Sequence, residues 1–326
     1  MGHGLQKGFF SPSVEIRVHL WLNLLSKVIP VGIRFLNAVP MKSLPALTAA
    51  VLAALHSTHA APIPDDCKVG GFAVSCQAWS FNRFTVFETI EMTAATGAKC
   101  IEFYPGQKLS KEQPAVKWDH NVPDEIIDKV KAKLAEHRIK AVNYGVVGIP
   151  ADEAGARKVF EFAKKLGLYG VTTESTGSID VLDKLAKEYD IRVCFHDHPK
   201  RANDPGYKMW DPNYILSVCK DRDARVGACA DTGHWITSGL DPVECVKILK
   251  GRVQSSHMKD RPVFGKESAD VPSGTGIGKV VELLAEFKAQ GFNGNISMEY
   301  EPARENPVPD IARSVEFIRK WGEAHK

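Results

Sequence analysis

The sequence predicts an α/β protein: a single-domain (β/α)₈ TIM barrel preceded by a targeting segment. Three observations lead to this prediction. From residue 67 onward, strand-like and helix-like segments alternate eight times over roughly 260 residues. His, Asp and Glu side chains follow four consecutive strand-like segments where the chain should leave the sheet. A short apolar segment with the order of a secretory signal precedes this alternating region.

The strand-like segments are short runs of small, β-branched or aromatic residues. We expect strands at 72–79, 98–104, 139–147, 169–174, 191–197, 226–231, 253–258 and 294–300. Amphipathic stretches predict helices at 86–95, 125–137, 154–166, 181–189, 213–219, 243–249, 280–289 and 311–321. An open doubly wound sheet more often has six strands and a glycine-rich phosphate loop after the first, and here the first turn reads QAWSFNRF.

Residues 41–61 are predicted to be a signal peptide. A lysine is followed by an apolar run at 44–55 and by small residues before Pro62. The run is too short to span a bilayer as a helix, so we expect a periplasmic or secreted protein without a stable membrane span. Residues 1–40 are interpreted as an upstream extension outside the fold. The alternative is an interfacial amphipathic helix at 18–35, interrupted by Pro30. The catalytic barrel is assigned to 67–326.

Charge and cysteine content restrict the function classes. The formal charge is +3, but residues 1–60 hold five basic side chains and one acidic side chain. The remainder has 37 basic and 38 acidic residues, so we expect no nucleic-acid partner. Seven cysteines without a CxxC spacing argue against a structural zinc cluster, whereas export would permit disulfides.

The ligand-type residues fall at the ends of the last five predicted strands. In chain order they are Glu174, His196 with His198, Asp231 with His234, His257 with Lys259, and Glu299 with Glu301. In a barrel of this type the carboxyl ends of the strands meet at one mouth, where the active site is built. Imidazoles mixed with carboxylates, and no thiolate among them, suit Mn²⁺, Mg²⁺, Co²⁺ or Zn²⁺.

Several of these residues have alternative structural interpretations. Asp231 would instead cap a turn, His257 would be a hydrogen-bonded histidine, and Glu174 would cap the next helix. We expect only one of His196 and His198 to point into the mouth, and we favour His196.

Other side chains near the strand ends are assigned less direct roles. Glu301 is expected to face outward, whereas His234 and Lys259 are expected near the ligands or at the surface. Glu102 and Tyr104 are assigned equally to the pocket and to the core. Three tryptophans are candidates for stacking on a sugar ring, namely Trp79, Trp210 and Trp235. The glycine-rich run at 273–278 offers backbone N–H groups to an anion.

The order of the motifs resembles a known family. HDHP, DTGHW, HMKD, DVPSGTGIG and SMEYE follow one another, and YPGQKLS lies upstream. This order resembles the xylose-isomerase-like TIM-barrel superfamily, specifically its sugar phosphate isomerase/epimerase branch. The resemblance implies a divalent metal at the barrel mouth and a carbohydrate substrate whose oxygens bind that metal.

The resemblance also implies roles for individual residues. Asp231, His257 and Glu299 would be metal ligands. Sugar epimerases of the superfamily usually have a glutamate at the end of strand five, where this chain has His196. Either His196 is the fourth ligand and Glu174 supplies the missing carboxylate, or Glu174 is itself the ligand.

The expected activity is a metal-dependent sugar isomerase or epimerase acting on a neutral or oxidised sugar. A proton next to a carbonyl would be removed by Glu299 or Glu174, giving an enediolate. His198, His234 or Lys259 would hydrogen-bond the developing oxyanion. The alternatives are elimination or cleavage of a keto-glycoside, and a metal-free glycoside hydrolase using Glu174 and Glu299. A homo-oligomer is possible.

Overall fold

The alternating sequence pattern folds into a closed barrel of eight parallel strands in the computed structural model, which describes residues 63–302 and 305–325. The barrel strands are β2 (Phe72–Gln77), β3 (Cys100–Phe103), β6 (Lys140–Tyr144), β7 (Gly170–Thr173), β8 (Arg192–His196), β9 (Val226–Asp231), β10 (Val253–Met258) and β11 (Asn295–Met298). Strand β2 pairs with both β11 and β3, and this double pairing closes the barrel. The signal peptide and extension predicted at 1–61 lie outside the described residues.

Helices follow the strands as the sequence predicts, and one further helix of six residues, which was not predicted, lies directly after β9. They are α1 (Val86–Ala95), α2 (Asp124–His137), α3 (Glu153–Leu166), α4 (Ile179–Tyr189), α5 (Pro212–Cys219), α6 (Thr232–Thr237), α7 (Pro242–Ile248), α8 (Val280–Ala289) and α9 (Val308–Ala324). Their starts show the expected chemistry. Thr85 forms a capping box with Glu88 at α1, and Asp152 accepts a hydrogen bond from the Gly155 N–H at α3.

Three two-residue strands supplement the barrel. Strand β1 (Lys68–Val69) pairs antiparallel with β2. Strands β4 (Gln107–Lys108) and β5 (Lys117–Trp118) form an antiparallel ribbon between β3 and α2. The sequence pattern did not predict them, because two residues are too few to show a hydrophobic period.

The helices bury their apolar faces against the barrel. Val159, Phe160 and Ala163 of α3 are fully buried, as are Leu283 and Phe287 of α8. All seven cysteines are buried and carry free thiols. No helix among the described residues is long and apolar enough to cross a membrane.

The glycine-rich run at 273–278 binds an internal carboxylate rather than offering free N–H groups. The backbone N–H groups of Gly274 and Gly276 donate to Asp260 Oδ2, each at 2.9 Å, and that of Gly278 donates to Oδ1 at 2.8 Å. The Arg261 N–H also donates to Asp260 Oδ1. A Cβ at position 276 would lie 2.3 Å from Asp260 Oδ1, so glycine is required for this approach. The predicted anion site in this loop is therefore wrong, since Asp260 takes its donors.

Replacing Asp260 by Ala should lower the free energy of unfolding by about 2–4 kcal/mol, because four backbone donors lose a buried side-chain acceptor. Urea titration of the metal-free protein measures the change. Asp204→Ala is the control, because exposed Asp204 accepts only the local Gly206 N–H, and it should cost at most about 0.5 kcal/mol. Equal effects of the two replacements would contradict the assignment.

Candidate metal centre and active site

Four side chains from neighbouring strand ends converge in a buried cluster. His196 ends β8, Asp231 ends β9, His257 lies in β10, and Glu299 follows β11. Each offers a ligand-type atom, and these atoms lie within 4.8 Å of one another. The register places His257 directly beside Asp231 and Ser297. Parallel pairing therefore brings together four residues that are distant in sequence.

Asp231 has two roles, one for each oxygen. Oδ1 accepts the His234 N–H at 2.9 Å and so caps α6. Oδ2 faces the cluster, 3.1 Å from Lys259 Nζ and 3.5 Å from His196 Nε2. The capping role foreseen for Asp231 is therefore present, and it orients the second oxygen toward the site. Asp197 contributes from behind by accepting the Asp231 backbone N–H at 2.8 Å.

Lys259 is fully buried at the centre of the carboxylates. Its ammonium group lies 3.1 Å from Asp231 Oδ2 and 3.3 Å from Glu299 Oε2, and it also contacts Glu301 Oε1. A Cβ at Gly233 would lie 2.5 Å from Lys259 Cβ, so the glycine of the DTGH segment makes room for the lysine. Of the two expected positions for Lys259, near the ligands or at the surface, the structure shows the position near the ligands. The outward orientation expected for Glu301 is wrong, since its carboxylate turns in toward Lys259.

Glu102 supports His257 from inside the barrel. The distance from Glu102 Oε1 to His257 Nε2 is 3.1 Å, and Thr172 and Ser297 each donate a hydroxyl to Glu102. The contact between Glu102 and His257 is at ion-pair distance rather than a well-aligned hydrogen bond, and it places a negative charge beside Nε2 of the ring. The other ring nitrogen, His257 Nδ1, lies 2.9 Å from Glu299 Oε2. The sequence assigned Glu102 equally to the pocket and to the core. The structure places it in the core, fully buried, where its carboxylate contacts His257 of the site.

Glu174 lies on the far side of His196 from Asp231. Its Oε1 is 3.7 Å from His196 Nδ1 and contacts His198 Nδ1, and Tyr207 donates its hydroxyl to both carboxylate oxygens. The Glu174 carboxylate therefore does not cap a helix, as the alternative interpretation of the sequence had suggested. The expectation that only one of His196 and His198 points inward is wrong, because residues two apart in an extended segment face the same side.

The buried cluster opens into a cavity of about 380 Å³. Its wall contains histidine and glutamate side chains of the site. Gln77, Trp79, Tyr104 and His234 complete the polar and aromatic part of the wall. Trp79 is 44% exposed, and its ring meets Tyr104 edge to face at 5.0 Å. Trp235 is buried packing, and the Trp210 ring lies under Lys200. Only Trp79 of the three candidates therefore faces this cavity.

The charges of the cluster are strongly coupled. Burial alone would raise the pKa of Asp231 and Glu299, but neighbouring His and Lys charges hold both well below the usual range. Burial opposes the charged form of His196, yet Asp231 and Glu174 raise its pKa to about 10. The pKa values of His257 and Lys259 also lie above their usual ranges, because adjacent acidic groups outweigh burial. In the metal-free site the ionised carboxylates are thus matched by cationic neighbours, which a bound metal would replace in part.

The donor atoms fit a divalent metal. His196 Nε2, Asp231 Oδ2, His257 Nδ1 and Glu299 Oε2 are buried and make no well-aligned hydrogen bond. Buried polar atoms without partners are rare, and four in one cluster are the atoms that a bound cation would satisfy. Two imidazole nitrogens and two carboxylate oxygens suit Zn²⁺, Mn²⁺ or Co²⁺. The structure thus contains a possible buried metal site.

Every residue predicted as a metal ligand or acid/base group lies at this mouth. Three partners escaped prediction as such: Tyr207 beside Glu174, Asp197 beneath Asp231, and Glu102 as the anchor of His257. A glutamate in the middle of the apolar segment CIEF was the available signal for Glu102, since an unpaired charge is rarely buried. No pattern marked Tyr207, which reaches Glu174 from a long loop between β8 and α5.

Two curated proteins resemble part of the chain. An uncharacterized protein of Methanocaldococcus jannaschii is 27% identical over 142 residues, which cover 43% of this chain and 45% of the relative. An inosose dehydratase of Clostridium tetani is 25% identical over 166 residues, which cover 44% of this chain and 52% of the relative. The chain therefore spans about half the length of the curated relatives it matches.

Solved structures share the fold over nearly their whole length. An uncharacterized protein of Parabacteroides distasonis has a TM-score of 0.62 at 30% identity, covering 77% of this chain and 99% of its own. D-Psicose 3-epimerase with D-tagatose, from Clostridium cellulolyticum, has a TM-score of 0.57 at 13% identity, with coverage of 77% and 99%. The IOLI protein with a bound zinc atom has a TM-score of 0.54 at 16% identity, with coverage of 78% and 99%. The last two likenesses show the fold alone.

The family profile described as xylose isomerase-like TIM barrel matches residues 90–321. The matched segment is more than half of the chain and includes all four residues of the buried cluster. The order of ligand-bearing strand ends and the closed parallel barrel agree with this match. The chain belongs to the xylose isomerase-like TIM barrel family.

Proposed function

We propose that this protein is a metal-dependent sugar isomerase or epimerase that removes a proton next to a carbonyl group. The observation that carries the proposal is the buried cluster of two histidines and two carboxylates at the barrel mouth. It opens into a cavity of about 380 Å³, which is large enough for a monosaccharide. Structural neighbours that include a sugar 3-epimerase support the same class of reaction.

His196, Asp231, His257 and Glu299 would hold the metal. When bound, a divalent cation supplies Lewis-acid polarisation of a carbonyl and its adjacent hydroxyl. Under this assignment His196 is a ligand and Glu174 remains free for proton transfer. Glu174 is positioned for that role by Tyr207 and by contacts with His196 and His198.

Two carboxylates then lie near the reacting groups, Glu299 in the cavity wall and Glu174 beside His196 and His198. Glu299 has a lowered pKa, with the charges of Lys259 and His257 offsetting burial, and is ionised at neutral pH. We assign Glu299 the role of base toward the carbon-bound proton. His198, which lines the cavity and contacts Glu174 through Nδ1, would return a proton, and the Lys259 ammonium would stabilise negative charge on the substrate oxygen.

Proton release on metal binding distinguishes the two candidates for the fourth ligand. Metals bind neutral imidazole, and the raised pKa of His196 and of His257 keeps both rings protonated at pH 7 in the metal-free protein. Binding through both histidines should release about two protons per Mn²⁺, and affinity should rise with pH up to about 10. Calorimetry in buffers of different ionisation enthalpy counts these protons. Release of one proton would instead favour Glu174 over His196 as the ligand.

Trp79 is predicted to bind the sugar ring at the cavity entrance. Replacement by Ala should raise KM by about 10-fold with little change in kcat, because stacking contributes equally to the ground state and the transition state. Steady-state kinetics on a competent sugar measure both constants. Phe264→Ala is the control, since Phe264 is exposed and lies outside the cavity wall. A fall in kcat without a change in KM would contradict stacking.

Elimination is the second candidate reaction. The partial similarity to an inosose dehydratase favours it, and its first step is the same proton abstraction. A glycoside hydrolase is less consistent with the site, because it needs a protonated carboxyl group. The pKa values of Glu174 and Glu299 are both lowered, with His and Lys neighbours overcoming burial.

The test is proton exchange with solvent. The purified chain is analysed for metal and then incubated in D₂O with keto sugars and uronates, with NMR detection of deuterium at carbon next to the carbonyl. We expect exchange that EDTA abolishes and Mn²⁺ or Co²⁺ restores, with β-elimination products for the second candidate. Glycoside hydrolysis that survives EDTA, without deuterium incorporation, would overturn the proposal.

We also propose export of the protein, in keeping with the signal-like sequence at 41–61. Expression of the full chain followed by fractionation and N-terminal sequencing tests this. A mature N-terminus at or next to Ala61 or Pro62 is expected. Retention of residues 41–61 in the purified protein would contradict the proposal.

A further inference from the structure

A second cavity adjoins the catalytic one. It has a volume of about 550 Å³ and lies between the segment after β2 and the β4–β5 ribbon. Tyr104 contributes to the walls of both cavities, so the two share a boundary. A ligand in the catalytic cavity could therefore extend past Tyr104 into the second one.

The wall of this second cavity is rich in positive charge. It contains four basic side chains, which are Arg83, Lys108, Lys111 and Lys117. The only carboxylate of the wall is Glu88, and it is already bound by Lys111 Nζ at 2.6 Å. Among the described residues, Arg83, Lys108 and Lys117 have no carboxylate partner within ion-pair distance. Three cationic groups thus line the cavity uncompensated.

Two of these basic side chains face each other across the β4–β5 ribbon, an arrangement that brings like charges together. Lys108 and Lys117 are directly opposite each other in the antiparallel β4–β5 pair. Side chains of directly opposed residues lie on the same face, and like charges at such positions destabilise a sheet. The opposite face of the ribbon, Gln107 and Trp118, is buried and holds the two strands together despite this repulsion. An anion bound between the two ammonium groups would remove the penalty.

We propose that the second cavity is a subsite for an anionic group of the substrate, a carboxylate or a sulfate or phosphate ester. The reacting carbonyl would occupy the catalytic cavity, and the charged group would lie beyond Tyr104 beside Lys108, Lys117 and Arg83. This inference rests on the proposed function for the reacting end of the substrate. The inference restricts the substrate class: among neutral and oxidised sugars, it favours those that carry a negative charge away from the reacting carbon.

Binding measurements on the metal-loaded full chain test the subsite. The probes are two disaccharides that differ only in glucose or glucuronic acid at the non-reducing end, and a third that carries a 6-sulfate or 6-phosphate there. Calorimetry should show tighter binding of a charged probe, and the probe that gains most identifies the anion. In Lys108→Gln/Lys117→Gln that probe should bind about 10-fold more weakly, with the neutral one unchanged.

The control is Lys220→Gln/Lys250→Gln, which removes two exposed lysines that follow α5 and α7, outside both cavities. It should leave every affinity unchanged. Inorganic sulfate at matched ionic strength should raise the Tm of the wild type more than that of the Lys108/Lys117 variant. Equal affinities for neutral and charged probes would overturn the inference, as would equal losses in the two double variants.

The outcome is separable from the proposed function. Binding by the metal-loaded Glu299→Gln variant reports on the subsite even if no isomerisation occurs. Conversely, if Lys108→Gln/Lys117→Gln turns over charged and neutral sugars as the wild type does, the subsite is refuted and the proposed chemistry stands. Unchanged or higher thermal stability of that variant would confirm that it folds, since the replacement removes a repulsion.

Discussion

Replacing Glu299 by Gln should lower kcat by about 10³-fold in metal-saturated protein, because an amide cannot accept the carbon-bound proton. The replacement is nearly isosteric, so the contacts of Glu299 with His257 and Lys259 are disturbed little in shape. Solvent exchange should fall in parallel with turnover, since both depend on the same proton abstraction. Steady-state kinetics and deuterium incorporation in D₂O measure the two effects.

Metal content decides how the result is interpreted. Glu299 is also assigned as a ligand, so each variant must be assayed at saturating Mn²⁺ with the bound metal quantified. Glu174→Gln is the comparison, because it neutralises the carboxylate on the other side of His196. A loss confined to Glu174→Gln would transfer the base role to Glu174. Comparable losses in both variants would support two-carboxylate epimerisation.

The barrel was predictable from sequence because its signals are local. Helices α1 and α8 coincide with the predicted boundaries, and β9 and β10 coincide with predicted strands. Each of these elements carries its own hydrophobic period or cap. The mouth was predictable for a related reason, since residues that follow parallel strands must meet at one edge.

The arrangement inside the mouth was not predictable in the same way. Nothing in HMKD distinguishes a surface lysine from the buried Lys259, because its partners come from two other segments of the chain. Glu301 was misplaced because the chain after β11 leaves the regular alternation of a strand. The glycine-rich run was misread because Asp260, which occupies its N–H groups, lies 14 to 18 residues earlier in the same β10–α8 connection, beyond the reach of a local motif.

Replacing Lys259 by Met should have the largest effect on stability. In the metal-free protein the ammonium group contacts both Asp231 and Glu299, and its removal leaves these buried carboxylates with histidine side chains as their remaining cationic partners. The free energy of unfolding should fall by about 3–5 kcal/mol. Added Mn²⁺ should restore stability, because the cation supplies the missing positive charge, and the rise in Tm should exceed that of the wild type. Thermal unfolding with EDTA and with Mn²⁺ measures the difference.

The same replacement separates metal binding from catalysis. Lys259 and a bound cation are like charges beside the same two carboxylates, so Lys259→Met should bind Mn²⁺ about 10-fold more tightly. Turnover should nevertheless fall by about 10²-fold, because the donor for the developing oxyanion is lost. Lys259→Arg, which keeps the charge, is the control for electrostatics. Weaker metal binding by Lys259→Met would show that the lysine organises the ligands rather than competing with the cation.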